Sequence, residues 1–424
     1  MPNCMVRITE IKIRNLKNVK QGEIKFKNYS KLRKNMNLEK GDMLGIYGSN
    51  GSGKSTVIDA CIILQALILG EALPDKMAYV ISIDEPTAVL EFEFFVQVGD
   101  DKYIVAYEVE LGRDETGGHL NILGEKLVCS TLKEGKWKVQ PILIEYRANE
   151  EEYFKIAPRY KKVLGEDRKL LVRDLERSFI FNKQNKQIFR EKLGLGNLLV
   201  EILRTFHQFG YFQLFVMATG HIGIMERLID TSLIMGNQYE VFVRRVEQMD
   251  KVIGILIPGL NLEVEHQEDG KTQVVSIREG RKIPLKYESE GIKKLITLLG
   301  VLIAVYNKRN ICMIVDDLDN RIFEPLLNQL MEVFASEMEG QLIFTAQSLS
   351  TLEKLDKNHV IFTTLNKDNK YIYLEKMPRK KNMRENYLKE LHLKVQKERL
   401  YASSDNDTLR ESLRNAGKMR EVIK

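Results

Sequence analysis

Apolar and polar residues alternate from Val6 to Ile13, the period of a strand with one buried face. Asn15–Asn18 reads as a turn and Gly22–Phe26 as a second strand. Met43–Tyr47 is a short continuous apolar run, which predicts a strand buried on both faces. Ser55–Leu69 is rich in Ile, Leu and Ala and predicts a buried helix. Val89–Val98, Tyr103–Leu111, Leu120–Cys129 and Lys136–Gln140 are dominated by Phe, Tyr and Val. Turns such as Gly99–Asp101 and Gly117-Gly118 separate them, so they predict an antiparallel meander.

Past Glu145 the spacing changes to three and four. Val172–Phe181, Lys186–Leu193, Leu198–Phe209 and Gln238–Ile257 are predicted helices, with no sustained heptad and hence no coiled-coil arm. Pro258-Gly259 ends the last of them. Leu260–Glu265, Gln273–Ile277 and Lys282–Leu285 predict short strands, with turns at Glu268–Gly270 and Glu279-Gly280. A helix follows to Val305. Then come a strand at Ile311–Val315, a helix at Phe323–Glu337, a strand at Gln341–Thr345 and a short helix at Leu349–Asp356. Strands at Val360–Thr364 and Tyr371–Glu375 close the pattern. The stretch from Pro378 is charged and helical, with Leu388, Leu391 and Val395 on one face and Leu409, Leu413 and Ala416 on another.

One junction in this pattern carries chemistry. Gly48, Ser49, Asn50, Gly51, Ser52, Gly53, Lys54 and Ser55, with Thr56 behind them, stand between a predicted strand and a predicted helix. The spacing is that of a phosphate-binding loop. Its glycines allow close backbone approach, its N–H groups and helix dipole favour an anion, Lys54 would reach the β- and γ-phosphates, and Ser55 would hold Mg²⁺. Such a site needs a second anionic group for the metal, and Asp316 at the end of the Ile311–Val315 strand meets that need. The next residue, Asp317, is placed to orient or deprotonate an attacking water. Ser289-Glu-Gly291 at a predicted helix start is either an ordinary N-cap or a second anion cap, the latter useful only if two subunits face each other.

Composition narrows the class. Hydrophobic residues make up 44% and charged residues 29%, an ordinary globular balance. Cys4, Cys61, Cys129 and Cys312 are scattered and predict reduced thiols, neither a disulfide frame nor a zinc site. The start of the chain lacks a signal-peptide pattern, and the apolar stretches Ala60–Leu69 and Lys294–Val305 are too short to span a bilayer. The expectation is therefore a cytoplasmic protein with no membrane partner. The net charge is +6. From Pro378 onward there are 13 Lys/Arg and 7 Asp/Glu, so the whole excess sits in the tail. Such a tail can touch nucleic acid or an acidic protein, or can simply be a solvated helix.

The ordered set of phosphate loop, Ser289-x-Gly291, the run Met313–Asp319 and a strand ending at Gln347 resembles an ABC-type ATPase head. More closely it resembles the stand-alone AAA-family ATPases of the OLD-like and SMC-like branch, many of which serve bacterial abortive infection and phage defence. The resemblance implies an α/β fold: an ABC-type P-loop head with an antiparallel β-subdomain, an inserted helical lobe and no long coiled coil. The expected division is 1–144 for the first half of the head, 145–258 for the helical lobe, 259–377 for the second half and 378–424 for a basic helical tail. It implies ATP and Mg²⁺ as cofactors, with Gly48–Thr56 on the nucleotide, Ser55 and Asp316 on the metal, and Asn15 beside base and ribose. Ser289 and Gly291 would act in trans across a head-to-head dimer or higher homo-oligomer, with Asp319 at the subunit boundary and Gln97 as the candidate Q-loop glutamine.

Two residues depart from the family's pattern. It usually has Glu where Asp317 stands and His where Gln347 stands, and these two positions would carry catalysis. The expectation is slow hydrolysis. No motif supplies nuclease chemistry, so a defence role requires a partner effector, of which a TOPRIM-type nuclease is the leading candidate. A second reading is a DNA-repair ATPase of the RecF type that clamps DNA, favoured by the basic stretch Lys31–Lys40 and the tail. A third is a scaffold that binds nucleotide and hardly releases it.

Overall fold

The computed structural model describes residues 4–27, 29, 41–77, 79–114, 117–133, 136–218, 237–266, 272–374, 383–393, 398–401 and 405–418. The basic stretch 31–40, the turn at 268–270 and Val395 lie outside the described residues.

The first half of the chain builds a seven-stranded antiparallel sheet. It comprises β1 (Cys4–Leu16), β2 (Val19–Lys25), β4 (Thr87–Val98), β5 (Asp101–Arg113), β6 (Leu120–Lys133), β7 (Lys136–Arg147) and β8 (Phe154–Ile156), in the order β2-β1-β4-β5-β6-β7-β8. The predicted meander is its core. Alternation sends Leu90, Phe92, Phe94 and Val96 of β4 to one buried face, while Glu91 and Glu93 turn to the other. Each such buried side chain contributes about 1.5–3 kcal/mol.

Between β2 and β4 the chain inserts β3 (Asp42–Tyr47) and α1 (Lys54–Leu69). β3 belongs to a second sheet, with order β16-β15-β3-β14-β13-β9. Its members are β9 (Leu214–Met217), β13 (Cys312–Val315), β14 (Gln341–Ala346), β15 (Val360–Thr363) and β16 (Tyr371–Ile372), all parallel except the edge strand β16. Both faces are buried, which is why these strands read as apolar runs. Leu44, Ile46, Cys312, Ile314, Ile343 and Ile361 join the core shared with α1 and the antiparallel sheet. Met43, Tyr47, Met313, Val315, Leu342, Phe344 and Phe362 face a second core. That core is closed by α5 (Asn237–Leu256), α6 (Glu290–Asn307) and α7 (Glu324–Glu337), beside the three-stranded sheet β10 (Asn261–His266), β11 (Thr272–Arg278) and β12 (Arg281–Pro284). A buried glutamine ties the two large sheets together. Gln341 donates to the Ile8 carbonyl at 2.8 Å and accepts from the Ile8 N–H at 3.0 Å.

The predicted helical stretch divides between these layers. After α2 (Pro158–Leu164), α3 (Lys183–Leu193) and α4 (Leu198–Gln208) bury Phe189, Leu199, Ile202 and Phe206 against the antiparallel sheet, whereas α5 packs on the other core. Two details differ from the pattern-based reading. Leu214–Met217 is a strand paired with β13. Val172–Phe181 is not a helix. The fully buried Glu125 of β6 accepts from the backbone N–H groups of Phe179 and Ile180 and from the hydroxyls of Ser178 and Tyr107. Those N–H groups are therefore unavailable to a helical ladder.

In the tail, α8 (Met383–Leu393) packs on the head. Met383 and Tyr387 are buried and Tyr387 stacks on Phe362 with ring centroids 4.5 Å apart. Helix α9 (Asn406–Lys418) leaves Leu409 and Leu413 exposed. Among the described residues no helix is long and apolar enough to cross a membrane. The longest helix among them is α5, at 20 residues, so no long coiled coil is present there.

Candidate nucleotide site

The loop between β3 and α1 is shaped by its glycines. Gly51 and Gly53 have φ of 70° and 103°, in the left-handed region that a side chain resists. A Cβ on Gly48 would run into Thr363 Oγ1 of β15. Ser52 and Thr363 exchange a hydrogen bond of 2.6 Å beneath the loop. Tyr371 donates to the Gly53 carbonyl at 2.7 Å, and Asn18 donates to the Gly51 carbonyl from the other side. Helix α1 has no acidic residue in its first turn, so its N-terminus keeps its positive field for an anion. Lys54 arches over the loop and donates to the carbonyls of Gly48 at 2.8 Å and Ser49 at 3.0 Å. Burial lowers its pKa, against the opposing pull of Asp317, Asp316 and Asp319.

The acidic side of the site rises from the end of β13. Asp316 Oδ1 accepts from Ser55 Oγ at 3.2 Å and from Thr345 Oγ1 at 2.5 Å. Asp317 is held in left-handed conformation, φ 45°. Its N–H donates to Thr345 Oγ1 at 2.7 Å, its carbonyl accepts from Lys294 at 2.6 Å, and its carboxylate accepts from Gln347 Nε2 at 3.2 Å. Asp319 accepts from the backbone N–H groups of Gln347 and Ser348. Lys54, Ser55, Asp316, Asp317 and Gln347 thus converge beyond the carboxyl ends of parallel strands β3, β13 and β14, where ligands of open α/β sheets bind.

Other expected residues fall elsewhere. Asn15, φ 57°, donates to the Thr87 carbonyl at 3.3 Å, and Asn18 rather than Asn15 reaches the loop. Gln97 lies opposite Met5 in the β1–β4 ladder, ten residues along β1 from Asn15. At about 3.3 Å per residue Gln97 stands roughly 30 Å from Asn15 along the sheet. Ser49 and Asn50 lie on the open rim of the loop, and Thr56 is buried in α1. Ser289 caps α6, accepting from the Ile292 N–H at 3.4 Å, and Gly291 packs against the Arg321 carbonyl. Among the described residues neither hydrogen-bonds the phosphate loop of its own chain. The Asp319 carboxylate is used within its own subunit. Pattern reading missed Thr345, Lys294, Asn18 and Tyr371. Only Thr345, the polar residue near the end of an otherwise apolar strand, left a signal.

Ser55 Oγ and Asp316 Oδ1 are hard oxygen donors separated by about the edge of a Mg²⁺ octahedron, roughly 2.9 Å for ligand distances of 2.0–2.1 Å. Among the described residues no group of three or more His, Cys, Asp or Glu could hold a metal by itself. The donor set therefore fits a Mg²⁺ ion completed by phosphate oxygens.

No curated protein sequence matches the chain. Among solved structures, an SMC head bound to the C-winged helix domain of ScpA is similar at a TM-score of 0.50 and 14% identity, covering 87% of this chain and 98% of that one. The SMC head domain from Thermotoga maritima has a TM-score of 0.42 and 15% identity over 87% of this chain and 99% of that chain. An SMC head with a coiled coil and joint from Pyrococcus yayanosii has a TM-score of 0.47 and 12% identity, over 91% and 99%. At these identities likeness speaks for fold alone. The family model described as "AAA domain, putative AbiEii toxin, Type IV TA system" matches residues 43–353, from β3 through the strands bearing Asp316 and Gln347. With most of its length inside that match, this chain belongs to that AAA family, and its fold is that of an SMC head.

Proposed function

We propose that the protein is a slow, ATP-operated clamp that closes head to head with a second copy and controls a partner effector in abortive infection. The observation that carries closure is the separation of two half-sites. Lys54, Ser55 and Asp316 are assembled in one place, while among the described residues the Ser289–Gly291 cap makes no hydrogen bond to any of them. Tyr287 and Phe323 flank that cap and are 72% and 75% exposed, a degree of aromatic exposure suited to a subunit contact. In this reading the loop residues Gly48–Thr56 hold ATP, Ser55 and Asp316 hold Mg²⁺, and the partner copy's cap closes on the γ-phosphate. Bound Mg²⁺ would neutralise charge on the phosphates.

Slow turnover follows from Asp317 and Gln347. Gln347 is neutral, and its amide occupies the carboxylate that would otherwise prepare the water. General-base catalysis is worth about 10²–10⁴-fold, so a compromised base leaves a long-lived closed state. The AbiEii wording of the family supports a defence role. The ScpA-bound SMC head, a head that engages a second protein, is in keeping with an effector partner. In this reading that effector is a nuclease.

Light scattering with and without ATP tests closure. Wild type should double in mass with ATP, and Lys54→Ala should not. If Lys54→Ala still closes, the clamp reading fails. Phage plating with the neighbouring reading frame present and absent tests the effector.

A further inference from the structure

Helix α3 carries a row of cations. Lys183, Lys186 and Arg190 stand three and four residues apart, which puts them on one face, and the first turn holds no acidic residue. Positive charge at that end opposes the helix dipole, so the arrangement is unfavourable unless an anion is bound. Lys186 Nζ is buried and has no hydrogen-bond partner among the described residues. Burial, then Lys183, pushes its pKa down to about 8. With Gln187 and Glu191, which bond each other at 2.8 Å, these cations line an open cavity of about 480 Å³.

Aromatic rings adjoin them. His207 of α4 is close enough to Lys186 and Lys183 for both to lower its pKa, after burial. Its ring lies parallel to Tyr211 at 6.4 Å, and Tyr211 meets Phe212 edge to face at 4.7 Å. Tyr211 and Phe212 are 55% and 58% exposed, although they sit in the π-helical turn Phe209–Gln213 that feeds β9. Unpaired cations beside exposed rings are the two components of a single-strand surface: cations track the phosphates and rings stack on unpaired bases. An acidic protein would satisfy the cations and leave the rings unused.

We propose that the face formed by α3 and the turn after α4 binds single-stranded nucleic acid, with phosphates on Lys183, Lys186 and Arg190 and bases stacked on Tyr211 and Phe212. The inference stands apart from the clamp reading, because the face lies outside the phosphate loop. It is nonetheless joined to it. Gln65 of α1 donates to the carbonyls of Gly210 and Leu214, on either side of the two rings.

Fluorescence anisotropy of a labelled 20-nucleotide single strand, titrated with the full chain over a salt series, tests this. Wild type should bind, with a duplex of equal length competing less well. Lys183→Ala/Lys186→Ala/Arg190→Ala should weaken binding at least tenfold and reduce the salt slope by about 2, three phosphates at about 0.7 each. Tyr211→Ala/Phe212→Ala should weaken binding about tenfold with the slope unchanged. Lys183→Glu, at an exposed position, guards against misfolding of the triple variant and should also weaken binding. Lys54→Ala should bind the strand as wild type does, whatever becomes of its assembly. Absence of binding at low salt, preference for duplex, or a parental affinity in either multiple variant would overturn the proposal.

Discussion

Lys294 Nζ donates to the main-chain carbonyls of Asp317 at 2.6 Å and Asn320 at 2.9 Å. One side chain therefore joins the helix that carries Ser289 and Gly291 to the loop that carries Asp317 and Asp319. The loop needs holding. Left-handed backbone at a non-glycine residue costs about 1–3 kcal/mol, and Asp317 is fixed there by Lys294 on its carbonyl and Thr345 on its N–H.

Lys294→Met keeps the apolar stem and removes both bonds. Hydrogen bonds to charged groups are worth about 1.5–3 kcal/mol, so ATP turnover is expected to fall roughly 10–100-fold. Nucleotide affinity should stay within about threefold, since among the described residues Lys294 makes no hydrogen bond to the phosphate loop. Single-turnover hydrolysis beside a nucleotide titration separates the two. A collapse of affinity with unchanged turnover would remove Lys294 from the catalytic loop.

Asp317 offers a two-sided test of the slow clamp. Asp317→Asn should lower turnover about 10²–10⁴-fold and prolong the ATP-bound assembly. Asp317→Glu, one methylene longer, should raise turnover and shorten that assembly. Sizing the protein at intervals after ATP addition reads the lifetime directly. A faster Asp317→Asn protein would mean that another group prepares the water.

Lys186 gives a pH signature. Burial puts its folded-state pKa at about 8, below the ordinary 10.5. The unfolded chain binds the proton more readily, so the penalty is fully present below pH 8 and is relieved as pH rises toward 10.5. Lys186→Met should therefore raise the thermal midpoint at neutral pH, and the gain should shrink across that window. A gain that is constant with pH would show that the charge is not what costs stability.

Glu125 is expected to matter through the backbone it holds. Glu125→Gln puts an amide NH₂ in place of one acceptor oxygen, either against the N–H groups of Phe179 and Ile180 or against the hydroxyls of Ser178 and Tyr107. The loss should be about 1–3 kcal/mol per donor left unsatisfied. Urea unfolding followed by tyrosine fluorescence measures it. Glu125→Gln with parental stability would transfer the anchoring role to the packing of Phe179 and Phe181.

The same contact explains where pattern reading stopped. Val172–Phe181 carries apolar residues at helical spacing, but a carboxylate 54 and 55 residues away in sequence claims the N–H groups of Phe179 and Ile180. Leu214–Met217 is a four-residue apolar run inside a helical stretch, too short to be told from a helix end by period alone. In contrast, the phosphate loop and Asp316 were legible, because a glycine motif and an acid after a buried strand need only local context. Thr345 and Lys294 were not, since their partners come from other elements. The contact of Asn18 with Gly51 was hidden for the same reason: the bend of the turn decides which side chain meets the loop.

The order of strands in the parallel sheet has a consequence for synthesis. β3, which presents the phosphate loop, is flanked by β14 and β15, strands made about three hundred residues later. Ser55 and Asp316 are 261 positions apart. At about 5–20 residues per second, on the order of 10–50 s pass between their emergence, during which β3 has both edges unpaired. ATP thus has no complete metal site to bind until the last third of the chain exists. Occupancy of the site reports that the sheet has closed, and long-range pairing of this kind makes that closure a slow step of folding.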